Sequence, residues 1–449
     1  MTQSAGWPDG PRGHGVWGNL PELRRDAVGF MRHARAAYGD VFRLRLGPRD
    51  VLVVAEPGAA REVLVAGAAS FRKGRGIQKM RDFLGGGLLT AEGETWRAHR
   101  RLMQPAFHRA ALEGMADEIV GATGPLLARL GGAARSGETV DVASVTAHVT
   151  LRAVAAVLFG AALRDEDLRA VERELPPLLA STAARVRSVV DWRLPTPSLL
   201  RERAAARALD EIVHRIIRER RASGAEGNDL LGMLLAARDE EGGGGLSDAE
   251  LRDEVMTLFL AGHETTATLL TYLFLNLSRH PELRERVQAE VRGALGDRPP
   301  TAADARSFPL LNACIQETLR LYPPAWLVPR QATQPVTVAG VPLEEGANVS
   351  VNIFLLQRNA RFWPGPDAFR PERWLNQTRT PEAFMPFGAG ARMCIGNHLA
   401  LMEAVLISAL VLRSYTLDVP DGGPTGLVAG VTLKPDGVVG ARVSSAASA

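Results

Sequence analysis

The segment from Ser247 to Arg279 constrains the fold more than any other part of this 449-residue chain. Ser247 and Glu250 form an S-x-x-E capping box, in which each side chain satisfies a backbone donor of the other at a helix start. Apolar residues then recur every three or four positions, and the next firm stop is Pro281. The pattern predicts one helix of about 33 residues, roughly 50 Å long, which only a large domain can accommodate.

The other segments predict a mainly α protein with small β-sheets, an α+β organisation. Residues 1–21 are rich in Gly and Pro and predict an irregular N-terminal arm, followed by a helix over about 22–38. Helical patterns dominate from Pro57 to about Arg320. Three loops are predicted to interrupt them, at 71–87, 191–197 and 240–245.

Strand signals are few and lie near the two ends of the chain. Val41–Leu46 and Val51–Ala55 predict a β-hairpin whose turn is formed by residues 47–50. Short β-type runs return late, at 336–341, 348–351 and 431–443. The sheets should therefore be small additions to a helical body.

The composition excludes several classes of protein. A net charge of +3 does not suit a dedicated nucleic-acid binder. Two cysteines, Cys314 and Cys394, cannot form a secreted disulfide framework. The run Ala153–Leu163 is too short to span a bilayer, and Met1–Gly10 has no signal-like pattern. We expect no transmembrane segment and a cytoplasmic location.

Polar residues interrupt the apolar pattern in the middle of the long helix, at 261–266. A zinc metalloprotease helix is excluded, because the pattern that begins at His263 has Ala267 where the second histidine belongs. Two interpretations remain. Gly262 can open a kink and Thr265 can turn its hydroxyl to a carbonyl one turn back, which leaves room for a small ligand beside an acid and an alcohol that form a proton path. Alternatively, Gly262 permits close helix packing and the polar groups are merely satisfied.

A second helix, predicted from about Pro309 to the stop at Pro323, carries Glu317 and Arg320 three residues apart on one face. Most such pairs lie on the surface and contribute under about 1 kcal/mol. The apolar neighbours of this pair, together with Arg373, predict instead a buried three-member network. Such a network specifies one packing more than it adds net stability.

The segment Phe387–Gly396 presents a single cysteine, Cys394, before an apolar helix predicted from about Asn397 to Leu412. It is not a dinucleotide-binding loop, since Met393 stands where G-x-G-x-x-G needs its third glycine. One thiolate cannot form a four-thiolate zinc or iron–sulfur site, but it suffices as the axial ligand of a heme iron. The alternative is a buried, inert cysteine.

The glycines of this segment and the helix that follows it predict how the sulfur is held. Gly388, Gly390 and Gly396 allow a tight loop to wrap around Cys394. The helix N-terminus is expected to stabilise the thiolate and lower the pKa of the thiol.

Taken together, these segments resemble the cytochrome P450 superfamily, the heme-thiolate monooxygenases, in order and over nearly the whole chain. The matching segments are the long-helix motif at 261–266, the E-x-x-R pair Glu317 and Arg320, the P-E-R-F-like segment 371–374 and the cysteine signature 387–396. Trp374 replaces the more usual phenylalanine. The resemblance implies a single cytochrome P450 domain over residues 1–449, with heme between the long central helix and the cysteine loop.

The resemblance also implies roles for individual residues around heme b (iron protoporphyrin IX). Cys394 would be the axial iron ligand, while Glu264 and Thr265 would form the proton path to the co-substrate dioxygen, for which Gly262 makes room. Since the thiolate already fills the ligand role, His99 and His263 are expected to be packed or solvent-facing histidines. The residues implied to bind the propionates or border the heme are Trp96, Arg100, Arg330, Arg392, Phe387, Gly388 and Gly396.

An apolar substrate pocket is implied as well, with walls from 77–84, from the long helix, from 326–328 and from the turn near Thr432. The candidate wall residues, each of which can equally be core, are Phe83, Phe259, Ala261, Trp326, Leu327 and Leu433. The runs 319–326 and 431–435 are most similar to bacterial carotenoid-ring hydroxylases. The expected substrate is therefore a carotenoid or related terpenoid, and the alternative is a fatty acid or polyketide.

The implied reaction inserts one atom of dioxygen into an unactivated C–H bond and reduces the other to water. The electrons would come from a separate ferredoxin and its NAD(P)H-dependent ferredoxin reductase. Arg97 and Arg101 either face this acidic donor or form an ordinary solvated surface. Two other functions on the same scaffold are a peroxide-driven peroxygenase and a non-catalytic heme sensor; Glu264 and Thr265 favour dioxygen chemistry over both.

Overall fold

The computed structural model describes residues 6–160, 163–187, 197–224, 227, 229–238, 244–375 and 380–446. Most of the predicted loop 191–197, and residues 240–243 of the predicted loop 240–245, lie outside this part of the chain.

Helices form most of the described structure. In chain order they are α1 (Leu20–Tyr38), α2 (Pro57–Arg61), α3 (Arg75–Lys79), α4 (Arg81–Leu84), α5 (Gly93–Met103), α6 (Arg109–Glu113), α7 (Ala116–Ser136), α8 (Val142–Phe159), α9 (Asp165–Arg187), α10 (Pro197–Ser223), α11 (Leu230–Ala236), α12 (Asp248–Arg279), α13 (Pro281–Leu295), α14 (Pro309–Leu321), α15 (Ile353–Leu356) and α16 (Asn397–Ser414).

The strands are short. They are β1 (Val41–Leu46), β2 (Arg49–Val54), β3 (Phe71–Lys73), β4 (Val140–Asp141), β5 (Leu327–Ala332), β6 (Val336–Val338), β7 (Val341–Leu343), β8 (Asn348–Asn352), β9 (Tyr415–Asp418), β10 (Leu427–Ala429), β11 (Leu433–Pro435) and β12 (Gly440–Ser445). A five-stranded sheet has the order β1-β2-β8-β5-β3, in which only β2 and β8 are parallel. The sheets β4-β12-β9, β6-β7 and β10-β11 are antiparallel.

The long helix α12 forms as predicted and crosses the helical core. Its capping box is present, with the Ser247 amide donating to Glu250 Oε2 at 2.9 Å and the Glu250 amide donating to Ser247 Oγ at 3.3 Å. Buried leucines line the helix, and burying each such side chain contributes about 1.5–3 kcal/mol. Helices α7, α8, α14 and α16 share this core, which confirms the mainly α fold with small sheets.

Several local predictions need correction. The predicted loop 71–87 contains β3, α3 and α4. Residues 71–73 pair with β5, and two short helices follow them. The predicted arm 1–21 ends earlier, since α1 begins at Leu20. Residues 9 and 19 of the arm bond to β1, through the Arg43 amide to Asp9 O at 3.2 Å and the Asn19 amide to Arg45 O at 2.6 Å.

Two core helices, α8 and α16, are long and apolar enough to pass a length-and-composition test for membrane spans. In each, 61% of the tested window is buried inside the protein. Core helices of globular proteins pass the same test, so the evidence for a membrane span is weak.

Candidate active site

The middle of α12 carries the acid and alcohol side chains singled out in the sequence. Thr265 Oγ1 donates to Ala261 O at 2.7 Å, so the hydroxyl turns to the carbonyl one turn back as predicted. Thr268 Oγ1 does the same to Glu264 O at 2.9 Å. The helix continues as one element through this segment.

Gly262 lies where α12 approaches α8. A Cβ at this position would sit 2.8 Å from Val154 Cγ2, closer than real side chains approach. Next to it, Thr150 Oγ1 of α8 donates to His263 O at 3.1 Å. The contact supports close helix packing as the reason for glycine here, which was the alternative to a space for dioxygen.

The Glu264 carboxylate has an ionic partner that the sequence did not predict. Lys434 Nζ, on β11, forms a very short ion pair with Glu264 Oε1. The Glu264 side chain is 15% exposed and that of Lys434 is 53% exposed. The nearby His263 is neutral at physiological pH, because burial lowers its pKa to about 4. The one feature of the sequence that could have drawn attention to Lys434 is that only three of the 53 basic side chains are lysines.

The cysteine loop is tight, as predicted. The Cys394 amide donates to Phe387 O at 3.0 Å. Gly388 and Gly390 have φ of +74° and +72°, a region that favours glycine. A Cβ on Gly390 would also lie 2.1 Å from Leu64 O.

Gly396 does not share this requirement. Its φ is −88°, and a Cβ would meet only Phe107, at 3.9 Å. The backbone conformation at Gly396 therefore does not itself require glycine. This residue precedes α16 and supplies a backbone amide to the Cys394 thiol.

The electrostatics of Cys394 also differ from expectation. The Cys394 side chain is exposed at its own position but lies deep in the protein, and the resulting desolvation raises the pKa of the thiol. The Gly396 amide and the charge of Arg100 lower the pKa, but they do not outweigh burial. The predicted net lowering by the helix N-terminus is therefore wrong for the chain without a bound metal. Cys314, by contrast, is fully buried in α14 and burial raises its pKa strongly.

A cluster of cations lies close to the cysteine loop. Arg392 binds Glu92 through Nη2–Oε2 at 2.6 Å and lies over the Trp96 ring at 5.3 Å. Arg330 is the register partner of Lys73 across β5 and β3. Burial lowers the pKa of Arg330 to about 10 and that of Lys73 to about 7. Two arginines, and a lysine whose pKa lies near neutral, thus surround the Glu92 carboxylate.

Lys73 was missed because the sequence gives no sign that β3 exists. Its Nζ donates to Leu88 O at 2.8 Å and to Ala91 O at 2.6 Å. Arg100, one turn after Trp96 on α5, donates from Nη1 to Met393 O at 3.0 Å and so contacts the cysteine loop itself.

The Glu317 network forms as predicted and is larger than predicted. Arg320 donates to both Glu317 oxygens at 2.8 Å, and Arg373 Nε donates to Glu317 Oε1 at 3.2 Å. Trp374 Nε1 adds a bond to Glu317 Oε2 at 2.9 Å. The other N–H groups of Arg320 bind the carbonyls of residues 357, 366 and 368. The network therefore fixes the chain that leads to the cysteine loop.

Comparisons with known proteins agree with this geometry. The Cytochrome P450 family model matches residues 8–437. The chain belongs to the cytochrome P450 family. It is 35% identical over 387 residues to cyclooctat-9-en-7-ol 5-monooxygenase of Streptomyces melanosporofaciens, covering 85% of this chain and 83% of the relative. It is 35% identical over 411 residues to pentalenene oxygenase of Streptomyces avermitilis, covering 90% of each.

A solved structure shows the same fold. The crystal structure titled cytochrome P450DA heme domain superposes with a TM-score of 0.87 at 28% identity, covering 98% of both chains. The family and the named relatives make this protein a cytochrome P450 monooxygenase. Enzymes of this family use heme and dioxygen.

The residues of this cytochrome P450 fit a heme. The described residues contain no group of three or more His, Cys, Asp or Glu that could bind a metal ion by themselves. One accessible thiol in a glycine loop is the donor set that a porphyrin-bound iron requires from protein. The two arginines Arg330 and Arg392 carry more positive charge than Glu92 neutralises, and this excess suits the propionates.

The candidate wall residues fall into two groups. Phe83, Phe259, Trp326 and Leu433 are buried and belong to the hydrophobic clusters of the core. Ala261 is exposed and Leu327 is half-buried. A cleft of about 360 Å³ lies along α5 and the residues that follow it; its lining residues are Trp96, Arg97, Arg100, Arg101, Gln104, Pro105 and His108.

Proposed function

We propose that this cytochrome P450 hydroxylates a terpenoid, using dioxygen and electrons from a separate ferredoxin and ferredoxin reductase. The observation that carries the proposal is the single accessible thiol of Cys394, held by a glycine loop next to a cationic cluster. We further propose that residues 1–449 form one heme-enclosing domain in the cytoplasm.

The proposed cofactor is heme b, held by residues of the loop and the cluster. Cys394 would bind the iron, while Lys73, Arg330, Arg392, Trp96 and Arg100 would bind or flank the propionates. Phe387, Gly388 and Gly396 would border the ring. When bound, the heme supplies the site at which dioxygen is reduced and its bond cleaved, which an electron-rich thiolate favours.

Protein residues are proposed to deliver the protons that this reduction consumes. Glu264 lies inside the protein with limited exposure and can take a proton from solvent. Thr265 is its neighbour on α12, and its hydroxyl, now bound to Ala261 O, can rotate to pass a proton on. The neutral His263 beside them carries no charge that would compete with this path.

The terpenoid assignment rests on the relatives and on the apolar residues near α12. Cyclooctat-9-en-7-ol and pentalenene, the compounds in the names of two relatives, are hydrocarbon-rich molecules. Ala261 and Leu327 are the accessible apolar candidates for the pocket wall. Their side chains are uncharged, which suits an uncharged, hydrocarbon-rich substrate.

The cleft along α5 supports a docking site for the electron donor. It carries Arg97 and Arg101, and it lies on the helix that contacts the cysteine loop. Arg97 is paired with Glu94, so an acidic donor would exchange partners there. The affinity for a reduced ferredoxin should fall as ionic strength rises; an affinity independent of salt would contradict this docking site.

The test of the proposed function is reconstitution of the holoenzyme with a ferredoxin, its reductase and NADPH. Pentalenene, a carotenoid and a long-chain fatty acid would be supplied separately, and products would be identified by mass spectrometry. A hydroxylated terpenoid carrying label from ¹⁸O₂ is expected. Exclusive hydroxylation of the fatty acid would overturn the substrate class, and turnover with hydrogen peroxide but not with dioxygen and reductase would favour a peroxygenase.

A further inference from the structure

Lys73 is a buried lysine whose side chain is bound to carbonyl groups and not to a carboxylate. Its side chain is 7% exposed, and Nζ donates to Leu88 O at 2.8 Å and to Ala91 O at 2.6 Å. Among the residues that the structure describes, no ion pair of Lys73 is present. Lysines are almost never buried to this extent unless they are paired with an anion. A charged Lys73 would therefore be unusual in these surroundings.

The charged groups that act on Lys73 come from four different elements. Arg330 on β5 is its register partner, and Arg392 comes from the cysteine loop; both repel a positive charge. Glu92, just before α5, attracts it most strongly, and Glu254 on α12 adds a weaker attraction. Two arginines and burial thus oppose the charge of Lys73, and two carboxylates favour it.

The carboxylate of Glu92 is already engaged by other donors. It accepts from Arg392 Nη2 at 2.6 Å and from Arg392 Nη1 at 3.2 Å. It also accepts from the backbone amide of Lys73, at 2.6 Å. Because these bonds hold Glu92 against the backbone and against Arg392, the carboxylate leaves the Lys73 ammonium without a direct ionic partner.

The number of N–H groups on Nζ shows which form of Lys73 these surroundings satisfy. An ammonium has three N–H donors, whereas a neutral amine has two. The carbonyls of residues 88 and 91 accept two, so a neutral amine fills both bonds and needs no counter-ion. A third N–H finds an acceptor only if a further anion enters the cluster, and that bond would then be charge-assisted.

We propose that Lys73 takes up one proton from solvent when a propionate of the heme enters this cluster, so that retention of the heme depends on the ionisation of this lysine. The inference rests on the proposed heme site. The proton converts the neutral amine into an ammonium, and its third N–H donates to the propionate; no other bond changes. Lys73 is then a positioning residue for the cofactor whose contribution can be switched off by pH.

The direction of the pH dependence follows from the two states of the lysine. The surroundings that the chain itself provides lower the pKa of Lys73 to about 7, and a propionate would raise this pKa. The contribution to heme retention is therefore complete below about pH 7. It is lost as the pH rises through the higher pKa of the heme-bound state.

The first test follows the transfer of heme from the ferric holoenzyme to an excess of apomyoglobin, from about pH 6 to about pH 10. Lys73→Met, which keeps the length of the side chain without its charge, should release heme about tenfold faster than the wild type near pH 7. The two rates should converge to within about twofold near pH 10, where the wild-type lysine is neutral as well. The control Lys79→Met changes another lysine, on α3, and should match the wild type within about twofold at each pH.

The second test observes the lysine itself in the wild-type holoprotein, so it does not depend on a variant that folds. The chain has only three lysines, Lys73, Lys79 and Lys434, so lysine labelled with ¹³C at Cε gives three NMR signals. The reduced carbon monoxide complex is diamagnetic and suits this measurement. The signal that disappears in Lys73→Arg should titrate well above pH 7 if a propionate holds the proton on Lys73.

The outcomes separate this inference from the proposed function. If the reduced holoprotein under carbon monoxide lacks the spectrum of a thiolate-bound heme, the proposed heme site is wrong and the role of Lys73 is wrong with it. If that spectrum is present but Lys73 titrates near pH 7, only the role of Lys73 is overturned. A ratio of the Lys73→Met and wild-type release rates that stays constant with pH would also overturn it, because loss of the two carbonyl bonds alone would then explain the faster release.

Discussion

The indole Nε1 of Trp374 donates a hydrogen bond of 2.9 Å to Oε2 of Glu317. Glu317 is fully buried, and the same oxygen also accepts from Arg320 Nε at 2.8 Å. A phenylalanine, the more usual residue at this position in the resemblance, cannot make this bond. The tryptophan therefore adds a donor to a buried charge.

Replacing this donor should weaken the packing around the cysteine loop. Trp374→Phe is expected to lower the free energy of unfolding by about 1–3 kcal/mol, because a hydrogen bond to a buried charged group is lost. Chemical denaturation of both proteins measures the change. In a Glu317→Gln background the loss should be clearly smaller; an equal loss there would show that ring volume, not the bond, is responsible.

His99 should make stability depend on pH. Burial lowers its pKa, but hydrogen bonds and the charges of Glu254 and Glu250 raise it more, so the folded pKa lies above the ordinary 6.5. The protonated imidazole therefore stabilises the fold fully below the unfolded pKa of about 6.5, and this contribution is lost as the pH rises through the folded pKa.

The measurement is the free energy of unfolding from about pH 5.5 to 9 for the wild type and for His99→Gln. The difference between the two proteins should be largest at the acidic end and shrink towards the alkaline end. The close contact, 2.6 Å from His99 Nδ1 to Glu254 Oε1, is the reason for this dependence. A difference that stays constant over this range would contradict it.

A substitution at Gly262 tests whether this glycine serves helix packing or leaves space for dioxygen. Gly262→Ala should destabilise the protein by about 1–3 kcal/mol, since the new methyl group overlaps Val154. Combining it with Val154→Ala, which removes the obstructing methyl groups, should restore part of the loss. If Gly262→Ala leaves stability unchanged but slows reaction with dioxygen, the packing role is wrong.

The sequence predicted the elements whose signals are local. The capping box at Ser247 and the stop at Pro281 indicated the two ends of α12, and Pro309 indicated the start of α14. The Glu317–Arg320 pair was predictable because both residues lie on one helical face among apolar neighbours. The order of the four motifs along the chain then indicated the fold.

Contacts between distant segments were not predictable from local patterns. Lys73 meets Arg330 only because β3 pairs with β5, and β3 is three residues long. Lys434 meets Glu264 although the two residues are 170 positions apart in the sequence. The pKa of the Cys394 thiol was expected to fall because the sequence shows the start of a helix after it, whereas the sequence does not show the desolvation that raises this pKa.

The central claim is that Cys394 binds the heme iron through its sulfur. Its most direct test is the absorption spectrum of the reduced holoprotein under carbon monoxide. The wild type and the control Cys314→Ser, which changes the other cysteine, should both show the red-shifted Soret band of a thiolate-bound heme. Cys394→Ser should lose that band; if Cys394→Ser retains it, another residue binds the iron and the account of the site is wrong.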